Sequence, residues 1–408
     1  MKYSSIETKI EYRSDIPESV YRGIMNLLDA PSISALSPEK KGCLRDILSG
    51  LFSGRGRVDY GECAWAYAVY YLPVNLQKVW RPLLDLAIAG ELRPKCKVLE
   101  LGAGPGSATL GLVEFYKYLA YDNCSTEFSL EITVIEREQA FLDILHSLMD
   151  RYLPSLPVNL KVSVETIRGD ASLFSEVIGD SRFDLIIESN MLNPNESFAV
   201  SELDTIAQQM RTALNRHSSL ILIEPAKPGL TNHLKEMRSL LSSAGMTCFS
   251  PCSCDHHSCS QFASARLDIS EIFICQELYD NGIISQPPQW HAFEYAVFRN
   301  DSLRKYDFGG DGALLYNMHG HEGEVISFSA FILAVASLDQ PELSLKVCDG
   351  SLPDDRHVWL NIPKETLRER DINTLTCGRG SMVEVKNAVV LSESKIGVIG
   401  KTRIKIYR

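Results

Sequence analysis

The sequence predicts an α/β fold with a doubly wound sheet, preceded by a helical region and followed by a small β-barrel. Three observations predict it. Up to about Pro94, apolar residues recur at helical spacing; from Cys96 to Arg299, short β-type segments alternate with helical stretches; after residue 310, five β-type segments are separated by turn residues. At 408 residues the chain exceeds one ordinary domain. The expected parts are a helical N-terminal cap (1–94), a sheet domain (95–300) and a barrel (310–408).

In the first part, G-E-C-A-W-A-Y-A-V-Y-Y-L-P-V-N-L-Q-K-V-W-R-P-L-L-D-L (61–86) has helical spacing, and Pro73 marks an expected break or new helix start. Tyr67, Tyr70 and Tyr71 offer a stacking surface, although aromatics at this spacing more often pack a core. In the second part the expected strands are K-V-L-E-L, E-I-T-V-I-E, K-V-S-V-E-T-I, F-D-L-I-I-E-S, S-L-I-L-I-E-P and G-M-T-C-F. I-F-I-C-Q-E and F-E-Y-A-V-F-R then read as an antiparallel pair closing the sheet.

The third part follows a hinge, R-N-D-S-L-R-K-Y-D-F-G-G-D-G. Its strands lie in G-E-V-I-S-F-S-A-F-I-L-A-V-A-S-L, L-S-L-K-V-C-D-G, H-V-W-L-N-I-P, S-M-V-E-V-K-N-A-V-V-L and K-I-G-V-I-G-K-T-R-I-K-I-Y-R, with a helix at K-E-T-L-R-E-R. Five short strands with one helix before the fourth suggest a closed barrel of the oligonucleotide-binding type, and G-R-G-S-M-V-E-V-K-N-A-V-V resembles that fold's fourth-strand region. Phe328, Phe331 and Trp359 are candidates for base stacking, with core packing as the alternative. The chain's end is locally basic: Lys386, Lys395, Lys401, Arg403, Lys405 and Arg408 stand against Glu393. A strand edge guarded by lysine is the alternative reading.

Composition excludes several classes. Hydrophobic content of 45% and charge of 23% suit a globular chain, and no run of eighteen apolar residues suggests a membrane span. The start, M-K-Y-S-S-I-E-T-K-I-E-Y-R, lacks the apolar core of a secretory signal, so a cytoplasmic location is expected. A net charge of −11 argues against coating nucleic acid by bulk electrostatics. In a reducing compartment eleven cysteines would be thiols, and any cluster of them points to metal rather than disulfides.

The densest chemical signal is V-L-E-L-G-A-G-P-G-S-A-T-L, in which Glu100 ends a strand and Gly102, Ala103, Gly104 and Gly106 follow. The spacing E-x-G-x-G-x-G differs from the G-x-G-x-x-G of dinucleotide binders, whose longer loop leads a pyrophosphate to a helix N-terminus. It resembles motif I of class I S-adenosylmethionine-dependent methyltransferases. That resemblance implies that Glu100 helps hold the ligand's amino group and that the glycines pass beneath its ribose and amino-acid portion. It also implies that Glu136, ending the next strand, accepts both ribose hydroxyls, and that Asp170 and Ala171 lie near the adenine. Glycines serving only helix–sheet packing are the alternative. After the fourth strand stand Ser189 and Asn190 in E-S-N-M-L-N-P, at the cofactor or substrate or simply in a turn. The amine-methylating N/D-P-P-F/Y tetrad is absent and no catalytic base is identified, yet methyl transfer needs little beyond alignment and exclusion of water.

The second signal is C-F-S-P-C-S-C-D-H-H-S-C. Cys252, Cys254, Cys259 and, in the next expected strand, Cys275 are candidate metal ligands, with Cys248 in reserve and His256 and His257 nearby. Thiolates this dense favour an iron–sulfur cluster over zinc, with inert or redox-active thiols as the alternative. Cys43, Cys63, Cys96, Cys124, Cys348 and Cys377 are isolated and read as small buried hydrophobes.

Together, A-Y-A-V-Y-Y-L-P-V-N-L-Q-K-V, L-E-L-G-A-G-P-G-S-A, L-I-L-I-E-P-A-K-P-G, S-P-C-S-C-D-H-H-S-C and F-E-Y-A-V-F-R resemble the methyltransferase-like assembly-factor family of the mitochondrial small ribosomal subunit and its bacterial and archaeal relatives. The likeness covers about residues 60 to 300. It implies a class I methyltransferase fold, S-adenosylmethionine, a cysteine-bound iron–sulfur cluster, and RNA or the small ribosomal subunit as partner. Cys252 and Cys259 match that family's first two cluster ligands; its later W-C-H-F is missing here, and Cys254 and Cys275 stand in. The functional expectation is methyl transfer to small-subunit ribosomal RNA or a part in subunit assembly. A non-catalytic RNA-binding scaffold and a protein or small-molecule methyltransferase are the alternatives.

Overall fold

A computed structural model of the chain describes residues 16–53, 59–191, 200–226, 231–251, 264–305, 321–337, 340–349, 358–376 and 382–407. The chain divides into two compact units. One comprises Met1–Glu196, Gln208–Ile223 and Leu267–His291, and the other Ser197–Ala207, Glu224–Arg266 and Ala292–Arg408.

The first unit begins with helices α1 (Glu18–Leu27), α2 (Pro38–Ser53), α3 (Tyr60–Leu76) and α4 (Trp80–Ile88). Asp59 caps α3, its carboxylate accepting from the backbone N–H groups of Gly61 (3.0 Å) and Glu62 (3.3 Å), which have no carbonyl partner within the helix. The break expected at Pro73 does not occur. Pro73 lies inside α3, and the chain changes pitch only four residues later, in a 3₁₀ turn at Gln77–Val79. The proline removes one backbone donor and helical packing on both sides outweighs that loss: Leu72, Val74 and Leu76 are buried.

Helices α1, α3 and α4 pack on α5 (Ser107–Asp122) and α6 (Gln139–Tyr152), which follow strands β1 (Lys95–Leu101) and β2 (Phe128–Glu136), and α2 packs on α3. At the α3–α5 crossing, a Cβ added to Gly111 would lie 2.0 Å from the Leu76 carbonyl oxygen, so only glycine lets the two backbones meet. The Trp80 indole N–H donates to the Gly111 carbonyl at 2.8 Å, locking the contact. Between α5 and α6, buried Glu114 accepts from Tyr118 (2.8 Å), Lys117 (2.7 Å) and Tyr152. That charge is satisfied from three sides, as a buried carboxylate requires.

Strands β3 (Leu160–Arg168), β4 (Phe183–Ser189) and β5 (Leu214–Pro225) extend the sheet, separated by α7 (Phe174–Ile178) and α8 (Val200–Ala213). After α9 (Thr231–Ser243) come β6 (Thr247–Ser250), β7 (Ser264–Asp268), α10 (Phe273–Asp280) and β8 (Trp290–Arg299). The order is β3-β2-β1-β4-β5-β8-β6, with β7 beside β8. The pairs β2–β3, β1–β2, β1–β4 and β4–β5 are parallel; β6–β8 is antiparallel.

Two expectations fail here. I-F-I-C-Q-E is not a strand: Phe273 onward forms α10, in which Ile274, Cys275 and Leu278 are buried and Phe273 is exposed, a helical rather than an alternating period. β8 therefore has no hairpin partner there and runs between β5 and β6, pairing Thr247 with Arg299 and Cys248 with Phe298.

In the second unit all five expected barrel strands form: β9 (Val325–Ala336), β10 (Glu342–Cys348), β11 (Val358–Pro363), β12 (Met382–Ser392) and β13 (Lys395–Tyr407). They close in the order β10-β11-β13-β12-β9. Leu343, Leu345, Val347, Leu360, Val383, Val385 and Ile396 alternate inward to fill the barrel. The expected helix starts later than K-E-T-L-R-E-R: Lys364–Thr366 is a 3₁₀ turn, and α11 (Glu369–Thr376) adds Leu375 to the barrel core.

Gly111→Ala should lower unfolding stability by about 1–3 kcal/mol through overpacking, although alanine is the better helix former. Urea titrations of wild type and variant check this; equal stability would mean that the crossing does not need the close approach.

Candidate functional site

In an open α/β sheet the ligand crevice lies at the carboxyl ends of the strands where the strand order reverses. Here that point falls between β1, followed outward by β2 and β3, and β4, followed by β5. The glycine loop leaves β1 at this place, and Ser189 and Asn190 leave β4 beside it.

The three glycines have left-handed backbones, with φ of +64° at Gly102, +55° at Gly104 and +89° at Gly106, but their surroundings differ. A Cβ at Gly102 would stand 2.9 Å from the Met191 side chain, and one at Gly106 would stand 2.3 Å from the Leu145 side chain. These two glycines serve packing. A Cβ at Gly104 would meet nothing within 4 Å. Gly104 thus faces a free space into which a ligand can lie against bare backbone, while Ala103 is buried beside it.

Two acids border this loop. Glu136 ends β2, and its carboxylate accepts from the backbone N–H of Gly104 (2.8 Å) and of Glu138 (2.9 Å). Two further backbone bonds tie the loops together: Gly102 N–H to the Ile135 carbonyl at 2.9 Å, and Gly169 N–H to the Glu136 carbonyl at 3.0 Å. Glu100 is 2% exposed and accepts from the Thr109 hydroxyl, one turn into α5. Burial pushes its carboxyl up to about 8; the Thr109 bond pulls it down and the nearby Glu136 adds to the rise.

The remaining predicted positions divide. Asn190 is left-handed (φ +60°), its backbone N–H donating to the Ile223 carbonyl at 2.8 Å and its amide to the Ser189 hydroxyl at 2.9 Å. It holds the β4 loop where Met191 reaches Gly102. Asp170 is exposed and caps a 3₁₀ turn, accepting from the backbone and hydroxyl of Ser172, both at 2.8 Å; Ala171 is buried. Thr109, Glu138 and Met191 belong to the site and were not foreseen. Thr109 had a signal, a hydroxyl one helical turn beyond the glycines.

Of the predicted metal ligands, Cys252, Cys254 and Cys259 lie outside the described residues, as do His256 and His257. Cys275 is described, and it is a core residue of helix α10. Cys248 is buried in β6. Among the described residues no group of three or more His, Cys, Asp or Glu could hold a metal ion. Cys63, Cys96 and Cys348 are buried as expected, whereas Cys43 and Cys124 are exposed. Phe328 and Phe331 are buried in the barrel core, which removes them as stacking candidates. Tyr67 stacks on Tyr71 (4.5 Å between ring centres) and meets Phe141 edge-on (5.3 Å), so this aromatic group joins α3 to α6.

No helix among the described residues is long and apolar enough to cross a membrane. No family model and no curated protein matches the chain. Solved structures similar to it include an S-adenosylmethionine-dependent methyltransferase from Clostridium acetobutylicum, with 10% identity over 60% of this chain and 99% of that one at a TM-score of 0.35. A SAM-dependent methyltransferase from Methanosarcina mazei shows 13% identity over 53% of this chain and 97% of that one, TM-score 0.35. TehB from Haemophilus influenzae shows 12% identity over 53% of this chain and only 62% of its own length, TM-score 0.30. Superpositions this loose transfer no role to any residue.

Because the Glu100 carboxyl is raised from 4.5 to about 8, the folded chain holds a proton that the unfolded chain releases. Its contribution is full below pH 4.5 and is lost as pH rises towards about 8. Wild-type stability relative to Glu100→Gln should therefore fall across that window, by up to about 1.4 kcal/mol per pH unit. Urea unfolding at pH 5, 7 and 9 measures it; parallel curves for the two proteins would mean that Glu100 titrates normally.

Proposed function

We propose that the protein is a methyltransferase that uses S-adenosylmethionine and acts on RNA, specifically on small-subunit ribosomal RNA during subunit assembly in the cytoplasm. The observation that carries the cofactor is the free space at Gly104, bordered by Glu100 and Glu136 at the point where the strand order reverses. S-adenosylmethionine held here would supply a sulfonium-bound methyl group for displacement by an acceptor nucleophile, the sulfur leaving as the thioether of S-adenosylhomocysteine. Glu136 would take the ribose hydroxyls, Glu100 the amino group, and the Gly104 backbone would lie along the ligand. Alignment and exclusion of water are then the protein's tasks. A buried acid near neutrality suits the amino-group role, since an arriving ammonium favours its ionised form.

RNA is supported by the barrel. β9 pairs with β10 and β12, and β11 pairs with β13 in parallel, which is the strand arrangement of oligonucleotide-binding barrels. Lys401, Arg403 and Lys405 alternate on the exposed face of β13 in a chain whose net charge is −11. The division into a helical cap (1–94), a cofactor domain (95–300) and a barrel (310–408) is part of the same reading. The cysteine-rich segment is read as an iron–sulfur site supplied by Cys252, Cys254 and Cys259; Cys275, buried in a helix, fits poorly as the fourth ligand.

Calorimetric titration with S-adenosylmethionine should give saturable binding, and Gly104→Asp should abolish it while keeping the melting temperature, because aspartate tolerates the left-handed backbone better than most residues. Unchanged binding would remove the loop from the cofactor site. Methyl transfer to small-subunit ribosomal RNA is the second arm: binding without transfer to any RNA favours the scaffold alternative.

Anaerobically purified protein should contain iron and sulfide and absorb broadly near 400 nm. Cys252→Ser with Cys259→Ser should lose both; full retention would place the ligands elsewhere.

A further inference from the structure

We infer that two copies of this chain associate through the free edge of β3, the two strands pairing antiparallel about a two-fold axis at Ser163 and joining their sheets into one. The inference stands apart from the proposed function and concerns the first unit alone. β3 ends the strand order, and among the described residues only β2 pairs with it. That ladder runs without a shift along the whole of β3, from Leu160 beside Phe128 to Arg168 beside Glu136. Asn159 gives its carbonyl to the Phe128 N–H at 2.8 Å, and the Gly169 N–H donates to the Glu136 carbonyl at 3.0 Å. Odd-numbered residues thus turn their backbone groups towards β2. The alternate residues Val162, Val164 and Thr166 turn theirs away, where another strand can take them. Natural edges are usually blunted by proline, a bulge or charges of one sign, and β3 has none of these.

The sequence of β3 selects the occupant. L-K-V-S-V-E-T, residues 160–166, is symmetric in character about Ser163. With the axis there, Lys161 of each copy faces Glu165 of the other, Val162 faces Val164, and the two Ser163 side chains meet. Even-numbered pairs exchange the backbone bonds, and odd-numbered pairs bring their side chains close, as an antiparallel ladder alternates. Moving the axis by one residue, to Val162 or Val164, puts Lys161 and Glu165 opposite only Ser163, Asn159 or Ile167. Lys161 and Glu165 are exposed, while Val162 and Val164 are half-buried. The face that carries Lys161, Ser163 and Glu165 is open, since these residues line a groove over β1, β2 and β3. On the other face the Thr166 hydroxyl meets His146 of α6 at 2.7 Å, so the valines lie on the helix side and a second copy extends their apolar layer. Val158, which is 97% exposed, comes opposite Arg168 of the second copy. An unrelated partner would need the complementary charge order; a second copy supplies it by symmetry. Antiparallel pairing also points the strand carboxyl ends of the two copies in opposite directions, so neither glycine-loop site blocks the other.

Sedimentation velocity of the full chain over a concentration series should show reversible passage from the one-chain to the two-chain mass. An edge of this length makes a small interface, so a dissociation constant of about 1–100 μM is expected. Lys161→Glu sets like charges opposite each other at two places and should weaken association about tenfold or more, and Glu165→Lys should do the same. An equimolar mixture of these two variants should recover it, because a mixed pair carries opposite charges at both places. Val164→Pro removes an N–H that faces away from β2 and should abolish association. A one-chain mass at every concentration, wild-type association in Lys161→Glu, or a mixture no tighter than either variant alone would overturn the inference. If Val164→Pro melts early, the two exposed charge variants and their mixture decide.

Discussion

The Glu136 carboxylate holds the candidate site together. One oxygen accepts the N–H of Gly104 from the loop after β1, and the other accepts the N–H of Glu138 at the start of the turn into α6. The backbone carbonyl of the same residue receives Gly169 from the loop after β3. Three loops that are distant in sequence are thereby fixed to one position at the end of the central strands. A loop of left-handed glycines has little conformational preference of its own, so its shape comes from these partners and from Met191 and Leu145, which press on Gly102 and Gly106. A space is left at Gly104 because both flanking glycines are occupied.

Two buried carboxylates in the same unit show why burial alone does not mark a functional acid. Glu114 and Glu100 are 1% and 2% exposed. Glu114 has an ammonium and two phenol hydroxyls around it, and it joins α5 to α6. Glu100 has only Thr109, through its hydroxyl and its backbone N–H, and the Glu136 carboxylate works against its ionised form, so burial prevails and the carboxyl is raised. A protein that only needed to pack this position would do better with leucine. An acid kept there at a cost in stability fits a group whose counter-charge arrives from outside.

Much of this was legible in the sequence, and what was not has a common cause. The central strands β1, β4 and β5 were recoverable from their buried apolar cores, and the edge strand β3 and the barrel strands because one-sided burial writes itself as alternation. At Ile272–Glu277 the apolar run is too short to separate a buried strand from a helix. What decides is Gly282, whose left-handed turn (φ +64°) ends α10 with its N–H on the Tyr279 carbonyl at 2.9 Å. Pro73 misled in the opposite way, since a local helix breaker was overruled by burial on neighbouring helices. Within the site, Glu100, Gly104 and Glu136 could be found from spacing; Met191 and Glu138 could not, because their parts depend on which loops meet across the sheet.

The same distinction governs the barrel. From sequence, Phe328, Phe331 and Trp359 are equivalent aromatic residues on β-strands. Only the register separates them. β9 is bounded by β10 and β12, and a shift in the ladder between Lys346 and Val347 lets consecutive residues from Phe331 to Leu333 all lie buried, so its aromatics are consumed by the core. β11 keeps strict alternation, Val358, Leu360 and Ile362 inward, which forces Trp359 and Asn361 outward. An irregular strand can absorb large side chains into the interior; a regular one must present every second residue to the outside. A tryptophan on the outward register of a regular strand, between lysines on both neighbours, is therefore placed by the geometry of the barrel and not by its hydrophobicity.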